Sequence, residues 1–467
     1  MTRNNGRCCA VRTLAPVRRW SSVMVAWWLA IAMMPLATAE VQPRIGGDPQ
    51  RSEASESRTR RSASSEVYQA VKRLLDSDRF DEARSMLSGL PDNQKDAVDV
   101  EVQIASLLYE IGKPTEGLLI LDASDIHDRN PFETHLAYAR IAAIERRWAD
   151  ADAHLRLVLG SPTPSDWSTT FTQQQRAEVV GLIAEVASSR GDWERAEQHW
   201  SRLLKVRPAD QAAKLKHAHA VFQLGRHGEA YRLLQEWASI GGSEDGRCAE
   251  LQMGKLFESS ADYESAETWY RKALQENVTV GVRCQLARLL VDRNRPAEAI
   301  MALELELLSA NETQISRLDW KGRTDCCVLI AGLAWRMMGR YDDSESALVE
   351  MQTRRPSSML VAHHLALVWI ESDDPETRRR GLQLATRTVE TAPDASSLTA
   401  FGWVTAKLGD LATAENILTQ AMASGPEVPR DAALYLADVK RRLGKDEEAK
   451  TLETFSQRAD GPIFFHR

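Results

Sequence analysis

The sequence predicts an all-α protein, an α-α superhelix or solenoid of about eleven helix-turn-helix units. Three observations carry this expectation. A short turn recurs along the chain, as Gly191-Asp192-Trp193-Glu194-Arg195-Ala196, Gly225-Arg226-His227-Gly228-Glu229-Ala230 and Ala261-Asp262-Tyr263-Glu264-Ser265-Ala266, and again from Gly339, Gly409 and Gly444. Its step is 34 residues from Gly191 to Gly225 and 35 from Gly409 to Gly444. A fixed period of that size marks stacked helical hairpins rather than a compact catalytic domain. The composition agrees: 43% hydrophobic and 27% charged, as in soluble, largely helical chains.

The first 39 residues stand apart. Arg3, Arg7, Arg12, Arg18 and Arg19 accompany no acid, and a 14-residue apolar run, Val23 to Leu36, follows. Ala37-Thr38-Ala39 then precedes Glu40. This is the layout of a secretory signal peptide cleaved between Ala39 and Glu40, and it predicts export to the periplasm or cell envelope. The run is shorter than the roughly 20 residues of a membrane span. An uncleaved anchor is the alternative, and membrane contact is expected only in that case. Residues 40–63, with Gln42-Pro43, Gly46-Gly47-Asp48-Pro49 and a Ser/Arg/Glu mixture, have almost no apolar side chains and read as a disordered linker.

The whole chain is net −7, and because the leader removes five basic and no acidic side chains, the remainder is net −12. A net acidic body argues against nucleic acid, whose binding rests on neutralising phosphates. Cys8 and Cys9 leave with the leader. Cys248, Cys284, Cys326 and Cys327 lie on helical patterns without disulfide-framework spacing and read as buried structural thiols.

From about Ser64 the apolar spacing is helical throughout. The unit from Ala177 is clearest. Ile183, Ala184 and Ala187 form the apolar side of a first helix, and Gly191 supplies the left-handed turn. Trp193, Ala196, Trp200, Leu203 and Leu204 recur three or four apart on a second helix, which Pro208 stops. Ala184 and Ala196 are small where two helices approach; Trp193 and Trp200 are large where the next unit must be filled.

This pattern, small at the eighth position, aromatic at the seventeenth and twenty-fourth, Ala at the twentieth and Pro at the thirty-second, resembles the tetratricopeptide repeat. The resemblance runs from about Ser64 to the end, with units starting near Ser64, Val98, Phe132, Ala177, Gln211, Arg247, Val280, Asp325, Met359, Ala395 and Arg430. Gly254, Tyr263, Ala266, Tyr270, Ala273 and Leu274 fall in register, as do Gly402, Gly409, Ala414, Leu418, Ala421 and Pro426. The first three units match weakly: Pro114 takes the aromatic position and Gly117 the Ala position. Ser161–Gln174 and Asn311–Thr324 each carry about 11 extra residues, read as loops. They divide the array into 64–165, 166–313 and 314–467. The last unit is polar enough to serve as a cap, and Ile463-Phe464-Phe465 forms an apolar tail.

No catalytic constellation, cofactor motif or metal-ligand spacing rises above background, so a non-enzymatic protein without cofactors or metal is expected. His363 and His364 are adjacent and diverge on a helix. The resemblance implies that first-helix residues line a concave groove that holds a peptide or helix of a protein partner. His219, Lys255 and Arg288 occupy one position in three consecutive units, with Lys216 beside them. A cationic stripe in an acidic protein favours an acidic peptide or a carboxylate. In later units Leu333, Arg336, His363, Leu367 and Trp403 form a second, more apolar candidate surface. The functional expectation is an exported interaction scaffold of the envelope; the alternative is a membrane-anchored assembly component.

Overall fold

The computed structural model describes residues 66–90, 98–123, 130–165, 167–239, 248–276, 279–303, 323–424 and 430–458. The leader, the linker, residues 311–322 of the second insertion and the tail Ile463–Phe465 lie outside the described residues. Among the described residues there is no strand.

Helices follow one another in hairpins. One compact unit reaches Leu289 and a second starts at Leu290. The first contains α1 (66–76), α2 (Phe80–Ser88), α3 (Val100–Glu110), α4 (Pro114–Ala123), α5 (Pro131–Ile144), α6 (Trp148–Gly160), α7 (Thr169–Arg190) and α8 (Trp193–Val206). It continues with α9 (Gln211–Gln223), α10 (His227–Ser239), α11 (Ala249–Ser259), α12 (Tyr263–Glu276) and most of α13 (Val280–Asp292). The second contains α14 (Pro296–Ala302), α15 (Asp325–Met337), α16 (Tyr341–Arg354), α17 (Met359–Trp369), α18 (Pro375–Thr391), α19 (Ala395–Lys407), α20 (Leu411–Ala423), α21 (Arg430–Arg442) and α22 (Asp446–Arg458).

The turns explain the hairpins. Gly112, Gly191, Gly225, Gly339, Gly409 and Gly444 all adopt positive φ. At Gly191 the next amide, Asp192 N–H, reaches back to Ala187 O at 3.0 Å, which closes the helix end and reverses the chain. Asp78, Arg146, Ala261 and Asn294 hold the same left-handed conformation without glycine's freedom. The hairpin from α17 to α18 has no such residue; its turn, 370–374, is wider than that at 338–340, and Asp374 caps α18 by accepting from Thr377 N–H at 2.8 Å.

Packing follows the small-large alternation. Ala184, Ala187, Ala196, Trp200 and Leu203 form one cluster that takes in Ala213 and Ala220 of the following helix. Each hairpin thus buries its apolar stripe only with its neighbour, and a buried Trp200 contributes about 2–3 kcal/mol. At Gly117 an added Cβ would stand 2.8 Å from Ala105 O, so α3 and α4 approach too closely even for alanine. Pro114 opens α4, where its missing N–H is harmless. Both departures from the repeat pattern therefore have a local physical cause.

The first expected loop is half helix. Ser168 caps α7 by accepting from Phe171 N–H at 3.2 Å, so residues from Thr169 extend the helix. Phe132, Trp167 and Phe171 hold the approach in edge-to-face contacts, with ring centroids 5.5 and 4.8 Å apart. Of the four thiols, Cys248, Cys284 and Cys327 are buried as expected, whereas Cys326 is exposed because it points away from its buried neighbour on α15.

Candidate functional site: the first-helix face

In the unit ending at Leu289, the cations expected on one stripe are largely matched by acids from neighbouring first helices. Lys216 of α9 pairs with Glu185 of α7 and lies 5.3 Å over the Trp200 ring. Arg288 of α13 binds both carboxylate oxygens of Glu258 of α11, at 2.5 and 2.6 Å. The Tyr270 hydroxyl donates to the same carboxylate at 2.7 Å. Arg140 and Glu178 repeat the arrangement at 2.6 Å between α5 and α7. Opposite charges about one repeat apart thus join successive first helices.

His219 is half-buried beside Trp193, ring centroids 5.2 Å apart, and meets the Gln223 amide at 3.1 Å. Burial lowers its imidazole to about 4, so it is neutral at pH 7. It therefore contributes no charge to the expected stripe. Lys255 differs from the others. It is half-buried and makes no hydrogen bond or ion pair with the described residues. Burial pulls its amine below the usual lysine value; the field of Glu258 opposes that shift and the field of Arg288 adds to it.

The apolar candidate surface of the second unit is corrected by burial. Leu333 is fully buried, Leu367 nearly so and His363 completely, and none is open to a partner. Arg336 is closed off as well. Its guanidinium donates to Asp431 at 2.6 Å and to the Tyr435 hydroxyl at 2.8 Å, joining α15 to α21. Both partners of that ion pair are almost wholly buried, with side-chain exposures of 6% and 7%. Burial opposes the guanidinium's charge, but Asp431 and Tyr435 outweigh it and hold the group ionised. Leu367 and Ala400 pack beneath with Met337, Leu360, Trp403 and Tyr435. First-helix residues of this unit thus close on one another instead of lining a groove.

Trp403 is half-buried and already engaged. It stacks on Tyr435 with centroids 4.2 Å apart and 13° between planes. Its indole N–H donates to Glu371 at 3.1 Å, and Lys407 sits 4.9 Å over the ring while bonding the same Glu371 at 2.8 Å. Sequence reasoning missed every acidic partner named above. A search for opposite charges roughly one period apart would have flagged Glu258 with Arg288 and Glu371 with Lys407; nothing local points from Arg336 to Asp431.

Two further features were not anticipated. Asp152 is buried and receives Arg156, Arg190 and Arg195 at 2.7, 2.9 and 2.8 Å. The arginines lower its carboxyl although burial, the largest single influence, works the other way. An open depression of about 380 Å³ lies among α8, α9 and α10, lined by Leu204, Pro208, Lys214, His217 and Leu233.

Helical hairpins whose facing charges join one repeat to the next define the chain as a helical repeat protein. Two stretches match family models: residues 182–245 a tetratricopeptide repeat model and residues 80–150 a second model of the same repeat. The chain carries tetratricopeptide repeats there. A comparison with curated proteins gives no match. Among solved structures, a tetratricopeptide repeat protein from Parabacteroides merdae is similar at 16% identity, over 61% of this chain and 100% of that one, with a TM-score of 0.36. A thermophilic TPR protein of Thermus thermophilus is similar at 16% identity, over 44% and 88%, TM-score 0.26. The TPR domain of P58(IPK) is similar at 14% identity, over 85% and 100%, TM-score 0.25.

Proposed function

We propose that this chain is an exported scaffold of the cell envelope that holds an acidic peptide segment or helix of a protein partner against the first-helix face around Lys255. The observation that carries the reading is the Lys255 amine, half-buried and lacking the acidic partner that Lys216 and Arg288 have. A desolvated ammonium without a counter-charge costs stability, and a partner carboxylate would offset that cost. Export is supported by the basic, apolar and small-residue segments that precede Glu40.

The test is fluorescence anisotropy with labelled Glu/Asp-rich and Lys/Arg-rich peptides of equal length. Acidic peptides should bind, more weakly as salt rises, and Lys255→Met should weaken them by about 10-fold, the effect of one charge-assisted hydrogen bond. Equal affinity for basic peptides, or an unaltered Lys255→Met, refutes the reading. Sequencing the N-terminus of the protein recovered from envelope fractions should find Glu40 first.

A further inference from the structure

Within the first unit, α5 and α6 bring two imidazoles together on facing helices. His135 Nδ1 and His154 Nδ1 stand 3.3 Å apart. Two nitrogen ligands on a tetrahedral zinc ion, each about 2.0–2.1 Å from it, are separated by about 3.3–3.4 Å. The pair already has the bite of a chelate. We propose that His135 and His154 form a binding site for a divalent first-row transition-metal ion of the kind that prefers imidazole, namely zinc, copper or nickel.

Both rings are held in place. His135 is buried to within 9% of full exclusion, on a helix anchored by Leu136 and Ala139; His154 stands beside Leu155 on α6, in the same core. Tyr138 stacks on the His154 ring with centroids 4.9 Å apart and 16° between planes, and its hydroxyl donates to Asp122 of α4. A ligand ring fixed by packing and by a hydrogen-bonded neighbour loses little freedom on binding. His154 is only partly covered, so an ion can reach the pair from solvent.

In the metal-free protein one imidazole donates and the other accepts, so one Nδ1 carries a proton. Binding shifts that proton to the Nε2 of the same ring and leaves both Nδ1 lone pairs for the ion. Among the described residues no third histidine, cysteine or carboxylate completes a ligand group. Water fills the remaining positions, and the affinity belongs in the micromolar range rather than that of a four-ligand structural zinc site.

Zinc titrated calorimetrically into the untagged full-length chain at pH 7.5 should bind at one site. His135→Ala and His154→Asn should each weaken that site at least 10-fold. Circular dichroism of each variant reports folding, and His154→Asn, at the partly exposed position, keeps the test valid if His135→Ala does not fold. Copper(II) electron paramagnetic resonance supplies an independent readout, with imidazole nitrogen coupling present in the wild type and reduced in His154→Asn. The absence of stoichiometric binding, or binding that persists unchanged in the folded variants, overturns the proposal.

Discussion

Gly254→Ala tests the packing rule of this array where two effects oppose each other. Alanine in a helix interior is favoured over glycine by about 1 kcal/mol, so local propensity alone predicts a more stable protein. The structure predicts the reverse. A Cβ at 254 would stand 2.4 Å from both Cδ1 and Cε1 of Tyr270 and 3.1 Å from Cγ, against the about 3.5–4.0 Å at which carbon atoms attract. The ring must therefore retreat by about 1 Å. It cannot do so freely, because Tyr270 is wholly buried and its hydroxyl is bonded at 2.7 Å to the Glu258 carboxylate that also holds Arg288. Overpacking costs about 1–3 kcal/mol and a strained or lost hydrogen bond about 1 more. After the propensity gain, the net loss is about 1–3 kcal/mol. The assay is urea unfolding followed by far-UV circular dichroism, with hydrogen exchange over residues 249–276 to place the effect. Gly402→Ala and Gly332→Ala should cost less, because the nearest atoms are Leu418 and Leu348 side-chain carbons, which can turn aside, at 2.7 and 2.9 Å. Tyr270→Leu combined with Gly254→Ala should recover at least 1 kcal/mol of the clash. A Gly254→Ala variant as stable as wild type would refute the reasoning.

Three other outcomes are expected. Arg336→Met strands a buried Asp431 carboxylate and should cost about 3–5 kcal/mol, while Arg336→Met with Asp431→Leu should recover most of it; thermal unfolding of the three chains compares them. Lys255→Met removes a half-buried ammonium without an ion pair and should leave stability unchanged or raise it by up to about 1 kcal/mol, while weakening acidic peptides; a clear destabilisation would show that the amine supports the fold. Stability should fall with pH. His219, His199 and His217 all have imidazoles lowered by burial, His219 to about 4. The unfolded chain therefore takes up more protons below the ordinary histidine value, and stability present at pH 7.5 is lost progressively between about 6.5 and 4. His219→Gln should flatten that slope in urea titrations at pH 7.5, 6 and 5, and an unchanged slope would remove His219 as a cause.

Much of this fold can be read locally. The turn glycines, the small eighth residue and the aromatic seventeenth and twenty-fourth are set by one hairpin's own geometry, so periodicity alone places Ala184 against Trp200 and Gly254 against Tyr270. The first inserted segment was harder, because its helical half depends on Trp167 and Phe171 reaching Phe132, a residue outside the repeat signal. The site was legible only in part. Counting positions put Lys255 and Arg288 on one face but could not show that Glu258 already neutralises the arginine. It also put Leu333 and Leu367 on an open surface. Both are buried, Leu367 against Tyr435 of α21 among others, and a register built from nearest neighbours contains no information about a residue three hairpins away.

That long reach bears on how the second unit comes apart. A row of repeats held only by adjacent contacts can fray from either end, one hairpin at a time, like a zipper. The Arg336–Asp431 bond spans 95 residues of chain and fastens the first full hairpin of its unit to the last. No hairpin between them can leave without opening that fastening, so the stretch from α15 to α21 should melt in a single cooperative step. The same bond must wait, during folding, until the chain between has been ordered, because closing a loop of that length beforehand has a large entropic cost. A protein built from independent modules thereby acquires, over the stretch from α15 to α21, the all-or-none behaviour of a globular domain.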